Sequence, residues 1–232
     1  MLPPPPPGQT RRQQAEALVE RRDDFGIALL LILATIVTFT VASGALSRFV
    51  SVALSGATLL FVLHTAQAGR RTVQVTSVIV AAGIGGTAIA LVVGGSLGTT
   101  AAELIGLCLA VVAPVVILRR IVLSPVITFR LVLGALAIYL LLGLAYAYFY
   151  PVIADIQQAP FFVQTSTPDQ PTYLYFSYIT LATVGYGDFT AATSLGRITA
   201  ASEGLLGQLY LVSAVALLVG NIGRTIRRGD KP

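Results

Sequence analysis

The fold of this chain is decided by one short stretch, Thr183-Val184-Gly185-Tyr186-Gly187-Asp188. Its two glycines are separated by one residue. If the backbone alternates between ordinary and left-handed conformations, the glycines occupy the left-handed positions, where a side chain would be unfavourable. Such alternation turns successive backbone carbonyls towards one side of the chain, which a regular strand cannot do. A glycine pair by itself is equally typical of a tight turn, so the surroundings of this TVGYGD segment decide its meaning.

The residues on either side of the TVGYGD segment indicate a loop that enters a membrane and leaves on the same side. Thr172–Ala182, just before it, is aromatic and apolar, too short to span a bilayer and suited to a re-entrant helix. Asp169 and Pro171 are residue types that favour a helix start. Ile198–Ile222, after it, is long and apolar. Irregular backbone is tolerated at membrane depth only where it lines water or is packed in protein.

The composition is that of a membrane protein. The 232 residues are 55% hydrophobic and 11% charged, whereas about 25% of the residues of an average soluble domain are charged. Six apolar runs are each about 20 residues or longer, enough to cross a hydrocarbon core of about 30 Å as helices. The six predicted helices are Phe25–Leu46, Phe49–Ala68, Val73–Val93, Thr99–Leu118, Val126–Tyr150 and Ile198–Ile222.

The basic residues predict how these helices are oriented. They cluster before helix one, between helices two and three, around the link between four and five, and after helix six, while the opposite loops carry only Arg48 and Arg197. The positive-inside rule therefore places both termini in the cytoplasm, which agrees with six crossings of the plasma membrane. The net charge of +5 follows from this topology, and we expect no nucleic-acid partner.

In this setting the TVGYGD segment resembles the selectivity filter of the potassium channel superfamily, over about Val126 to Ile222. The resemblance implies that K⁺ sheds its water and is held by backbone carbonyls, and by the hydroxyl of the first threonine. The resemblance implies that the ion-binding residues are Thr183, Val184, Gly185, Tyr186 and Gly187. The first four of these would contact the K⁺ ions directly. We expect the valine and tyrosine side chains to point away and pack against the pore helix. One chain supplies one such segment, so the expected assembly is a homotetramer in a lipid bilayer.

The last helix resembles the inner helix of bacterial channels. Gly207 falls where many members have a hinge glycine, whereas Ala182 replaces a common threonine and Ile179 replaces an acidic residue of some bacterial members. Helical spacing predicts an inward face made of Gln208, Leu211, Val215 and Val219. On this face we expect a polar cavity wall followed by a hydrophobic gate, with ordinary helix packing as the alternative.

Two carboxylates are predicted to support the filter. Asp188 would anchor the end of the TVGYGD segment to the pore helix and attract cations to the mouth. Glu203 lies within helix six, where a carboxylate is costly. It would either reach water or pair with Arg197, or else hydrogen-bond the back of the pore helix and tune gating.

The first four helices lack the features of a voltage sensor, which needs about three or four regularly spaced arginines in one helix. The fourth helix has none inside it, and Arg119 and Arg120 lie at its cytoplasmic end. Cys108 is the only cysteine and His64 the only histidine. No disulfide within the chain is therefore possible, and no metal-ligand spacing is present.

The predicted fold is an all-α membrane fold with six transmembrane helices and a re-entrant pore helix and filter between helices five and six. The chain is predicted to have four parts: a cytoplasmic N-terminal arm with a Pro-rich start and a short helix (1–24), a peripheral four-helix module (25–120), the pore domain (121–224) and a short cytoplasmic tail (225–232).

The predicted function is passive K⁺ conduction, without enzymatic activity and without a cofactor beyond the permeant ion. The alternatives are a poorly selective cation channel, a transporter with filter-like repeats, and a non-conducting scaffold or regulatory subunit. The compact build resembles bacterial members.

Overall fold

A computed structural model describes 25–41, 53–61, 80–86, 106–115 and 129–229, with single residues between them (50, 74, 77, 78, 104, 117 and 118). The N-terminal arm, His64 and the last three residues lie outside the described part, as do much of predicted helices two to four. The described elements are helical, with one isolated β-bridge between Phe162 and Ala191. Short helical stretches cover 53–61, 80–86 and 106–115. The four longer helices are α1 (Phe25–Val41), α2 (Phe129–Gln157), α3 (Gln170–Leu181) and α4 (Ser194–Gly229).

Two described helices are long and apolar enough to cross a membrane, over Val132–Gln157 in α2 and Ser194–Leu217 in α4. Shorter apolar helices cover Gly26–Thr40 and Gly106–Val115. The predicted number of six crossings depends on residues outside the described part and remains a prediction. Helix α4 begins at Ser194, one turn before its predicted start, and continues beyond Ile222 to Gly229.

Helix α2 does not end at Tyr150 as predicted but runs through Pro151 to Gln157. The proline removes one backbone donor and usually bends or ends a helix. Here the residues around it are held by packing, because Tyr150 and Ile153 are buried in an aromatic cluster with Phe161 and Phe162. Packing of this kind outweighs the local preference of proline, so the loop between α2 and α3 begins a full two turns later than expected.

This aromatic cluster joins α3 and the loop before it to α2. Phe161 and Phe162 come from the loop after α2, and they pack edge-on against Phe176 of α3 at ring-centroid distances of 5.8 and 5.1 Å. Tyr150 of α2 packs against the same phenylalanine at 5.2 Å. Aromatic pairs at these distances are favourable beyond the area they bury. The cluster therefore fixes α3 against the C-terminal end of α2.

Helix α3 begins where the sequence predicted. Asp169 is its N-cap, and the carboxylate accepts a hydrogen bond from the backbone N–H of Thr172 at 3.0 Å. Pro171 lies in the first turn, where its missing N–H is not needed. The other face of α2 packs against α1 and the short helical stretches through a second apolar core that includes Ile32, Leu59 and Leu144.

Candidate functional site

The TVGYGD segment follows α3 directly and has an alternating backbone. Gly185 and Gly187 have φ of +51° and +80°, as their predicted left-handed conformation requires. Thr183 also has a positive φ, +57°, which the sequence did not predict and which is rare for a β-branched residue. Left-handed residues therefore alternate with ordinary ones at 183, 185 and 187, the arrangement that directs successive carbonyls to one side.

The start of the TVGYGD segment is hydrogen-bonded to the last turn of α3. The backbone N–H of Thr183 donates to the carbonyl oxygen of Thr180 at 2.9 Å. The N–H groups of Val184 and Gly185 both donate to the carbonyl oxygen of Ile179, at 2.8 and 3.2 Å. The last carbonyls of a helix have no partner within it. Here the segment supplies those partners, so its conformation is tied to the end of α3.

The end of the segment is tied to the same helix by a side chain. The phenol of Tyr175, in the middle of α3, donates to a carboxylate oxygen of Asp188 at 2.7 Å. The other oxygen of Asp188 accepts from the backbone N–H of Phe189 at 3.1 Å. The bond to the Asp188 carboxylate raises the pKa of Tyr175 to about 12. Asp188 thus contacts α3, and its partner there is a tyrosine that sequence reasoning did not single out.

Within one chain, the side chains of Val184 and Tyr186 are not covered by α3, and their packing against a pore helix stays a prediction. Tyr186 is 73% exposed and Val184 50% exposed within the chain.

Helix α4 approaches the C-terminal end of α3 at Gly207. A Cβ atom at this position would lie 2.5 Å from the carbonyl oxygen of Leu181 and 2.8 Å from its Cδ1. Only glycine allows this approach without a shift of one helix. One residue on, the side-chain amide of Gln208 donates to the hydroxyl oxygen of Thr183 at 3.0 Å. The inner helix therefore touches both the end of α3 and the first residue of the TVGYGD segment.

Glu203 lies deeper in the same interface and is fully buried. Its carboxyl group is within hydrogen-bond distance of the Tyr150 hydroxyl of α2 and of the Ser177 hydroxyl of α3. Arg197 is not its partner, because its Nε donates to the carbonyl oxygen of Ala191 at 3.0 Å. Of the alternatives that the sequence left open for Glu203, the structure shows a hydrogen bond to α3, through Ser177.

Further hydroxyl groups join the helices and were not singled out from sequence. Tyr178 donates to the carbonyl oxygen of Leu140 at 2.8 Å, and Tyr210 donates to that of Ala135 at 2.6 Å. Tyr139 donates to the carbonyl oxygen of Leu181, the last residue of α3, at 3.3 Å. The only indication in the sequence is the density of tyrosine and serine within otherwise apolar helices. The partners lie too far apart along the chain for a local pattern to reveal them.

The predicted inward face of α4 is exposed in the single chain, at Gln208 and also at Leu211 and Val215, which are 38% and 55% exposed. Other apolar side chains of α4, such as Leu209 and Val212, are exposed as well. Exposure therefore does not single out one face as a gate. Val219 lies in the helix, and its side chain is outside the described part.

Residues 127–224 match the model of a protein family described as "Ion channel". The matched part contains α2, α3, the TVGYGD segment and most of α4. The match supports an ion channel function for this part of the chain. Comparisons with curated proteins and with solved structures found no match.

Proposed function

We propose that this chain is one subunit of a potassium-selective channel in which four copies place their TVGYGD segments around one pore. The observation that carries the proposal is the alternation of positive φ at Thr183, Gly185 and Gly187. It occurs directly after a short capped helix, within a segment that matches an ion channel family. Backbone carbonyls directed into a narrow path replace the water that K⁺ gives up on entering it.

In this proposal each residue of the segment has a defined part. The carbonyls of Thr183, Val184, Gly185 and Tyr186 bind the permeant K⁺, together with the hydroxyl of the threonine. Gly187 gives the turn that ends the row. Asp188, bonded to Tyr175, holds the outer end in place and leaves a carboxylate near the mouth, which raises the local concentration of cations.

The assembly of four copies is supported by what one chain leaves uncovered. In the 18-residue apolar stretch of each membrane-length helix, 11% of the residues are buried within the chain in α4, against 50% in α2. A groove of about 450 Å³ lies between the TVGYGD segment and α4, lined in part by Gly185, Gly187 and Gly204. The side chains of Tyr186 and Val184 are also exposed within the single chain. Neighbouring copies would bury these surfaces and complete a ring that one segment cannot form.

The remaining predictions belong to the same proposal. The channel lies in the plasma membrane with both termini in the cytoplasm, and it is not gated by a classical voltage sensor. Gln208 lines the cavity below the TVGYGD segment, which agrees with its bond to Thr183. Leu211, Val215 and Val219 form the hydrophobic constriction, and Gly207 lies at the level where the inner helix contacts α3.

Flux into liposomes tests the proposal. The purified protein, reconstituted without other proteins, should carry K⁺ down its gradient, and Ba²⁺ should block that flux because it competes for the same carbonyl sites. Equal and Ba²⁺-insensitive flux of K⁺ and Na⁺ would indicate a poorly selective channel. Flux that is absent from protein shown to be folded would favour a scaffold or regulatory subunit. Either result contradicts the proposal.

A further inference from the structure

Three side chains and one carbonyl join α2, α3 and α4 at a point behind the ion path. The Ser177 hydroxyl oxygen lies 2.6 Å from the carbonyl oxygen of Gly143 in α2 and 2.5 Å from Oε1 of Glu203 in α4. The hydroxyl of Tyr150 is bonded to Oε2 of Glu203. Ser177 and Glu203 are each 0% exposed. This arrangement, the buried carboxyl cluster, links every helix of the pore unit.

The number of hydrogen atoms in the cluster decides the state of the carboxyl group. Three contacts each need one hydrogen: Ser177 with Gly143, Ser177 with Glu203, and Tyr150 with Glu203. The two hydroxyl groups supply one hydrogen each. The Gly143 carbonyl can only accept, so the serine hydrogen points to it. An ionised Glu203 would then face the serine oxygen with no hydrogen between them. The third hydrogen must be carried by the carboxyl group itself.

The charges around the cluster lead to the same result. The titratable groups that interact with Glu203 from the packed helices are Tyr139 and Tyr150 of α2 and Tyr178 of α3, all phenols. Arg197, on α4 itself, is bonded to a backbone carbonyl. Among the described residues no cation pairs with Glu203. A buried ionised carboxylate without a paired cation is strongly disfavoured.

We propose that Glu203 is a neutral carboxylic acid at neutral pH, which donates to Ser177 while Ser177 donates to the carbonyl of Gly143 and Tyr150 donates to the other carboxyl oxygen. This chain of hydrogen bonds runs from α4 through α3 to α2. Glu203 is therefore a positioning residue: it fixes α3, which in turn carries the TVGYGD segment. The consequence for conduction rests on the proposed function, whereas the protonation state does not.

Infrared spectroscopy of the full chain in detergent or lipid at neutral pH tests the protonation state directly. A carbonyl stretching band of a protonated carboxyl group should be present, should shift on exchange into D₂O, and should be absent from Glu203→Gln. Absence of the band in the native protein overturns the proposal. So does a band that Glu203→Gln leaves unchanged.

Variants of the two hydroxyl partners keep the test valid if Glu203→Gln does not fold. Ser177→Ala and Tyr150→Phe each remove one hydrogen-bond partner of the carboxyl group, so each should shift the band, whereas the control Tyr146→Phe, whose hydroxyl is bonded to Ser202, should not. A band at the native frequency in both partner variants overturns the proposal.

The positioning role is tested by rescue in the liposome assay. Glu203→Leu should lower K⁺ flux at least tenfold, and Glu203→Gln, a neutral donor of the same shape, should recover most of it. A glutamine variant as inactive as the leucine variant contradicts the role of a neutral donor. If the native protein conducts no K⁺ but shows the infrared band, the proposed function fails while the protonation state stands.

Discussion

At the scale of single residues, Thr183 stands out among the described residues as a β-branched residue with a positive φ. A left-handed backbone costs a residue with a side chain roughly 1–2 kcal/mol, and strain of this kind persists only where neighbours impose it. Two hydrogen bonds do so here, from the threonine N–H to Thr180 and from the Gln208 amide to the threonine hydroxyl. The first residue of the TVGYGD segment is thus held from both α3 and α4.

Gly185→Ala or Gly187→Ala should abolish K⁺-selective flux in liposomes, because a side chain disfavours the positive φ by about 1–2 kcal/mol in every copy. Among the described residues other than its two chain neighbours, none has an atom within 4 Å of a Cβ built at either position, so the effect comes from the backbone and not from a collision. Gly86→Ala is the matched control, since it has the same open space and no positive φ. Native selectivity in both filter variants would refute the alternation as the basis of selectivity.

The bond between Tyr175 and Asp188 has a defined pH dependence. The pKa of this phenol is raised above its ordinary value of 10.0 to about 12, so the bond is fully present below pH 10 and is lost as the pH rises through 12. Ultraviolet titration of tyrosinate should lose one phenol that titrates near 12 when Tyr175 is replaced in Tyr175→Phe. In Asp188→Asn that phenol should titrate closer to 10, because the carboxylate that holds its hydrogen is gone. An unchanged titration in Asp188→Asn would contradict the bond.

At the scale of secondary-structure elements, the contact of α4 with the end of α3 depends on glycine. Gly207→Ala places a Cβ 2.5 Å from the Leu181 carbonyl oxygen, and overpacking of this kind costs about 1–3 kcal/mol. Thermal unfolding in detergent should therefore shift to lower temperature, and K⁺ flux should fall. The control is Gly204→Ala, whose Cβ would meet its nearest neighbour, the Thr180 carbonyl oxygen, at 3.4 Å. Equal stability of the two variants would show that the approach at Gly207 is not needed.

The sequence predicted those elements whose causes are local. The start of α3 follows from Asp169 and Pro171, and the positive φ of Gly185 and Gly187 follows from the absence of a side chain. The end of α2 could not be predicted in this way. Proline at 151 favours a stop, but the aromatic cluster that carries the helix to Gln157 is built from residues of the following loop and of α3.

The candidate site was predicted in part for the same reason. Asp188 and Glu203 stand out in the sequence because a carboxylate needs a partner in an apolar setting. Their partners do not stand out, because Tyr150 and Ser177 lie 53 and 26 residues from Glu203. The left-handed Thr183 was missed because the residue type argues against it, and only the bonds from α3 and α4 explain it.

At the scale of the whole molecule, the proposed function requires more than one chain. Within one chain, the α4 helix and the Val184 and Tyr186 side chains are uncovered, and one TVGYGD segment cannot surround an ion. Native mass spectrometry from a mild detergent should therefore give a species of four chains, each of 24.3 kDa. A stable monomer or dimer that still conducts K⁺ would contradict the proposed ring.

The most direct test of the central claim is the reversal potential of single channels in a planar bilayer, with K⁺ on one side and Na⁺ on the other. Carbonyl sites that fit dehydrated K⁺ predict a reversal potential close to the K⁺ equilibrium potential, with selectivity lost in Gly185→Ala and kept in Gly86→Ala. A reversal potential near zero in the native protein would contradict potassium selectivity, even if the channel conducts.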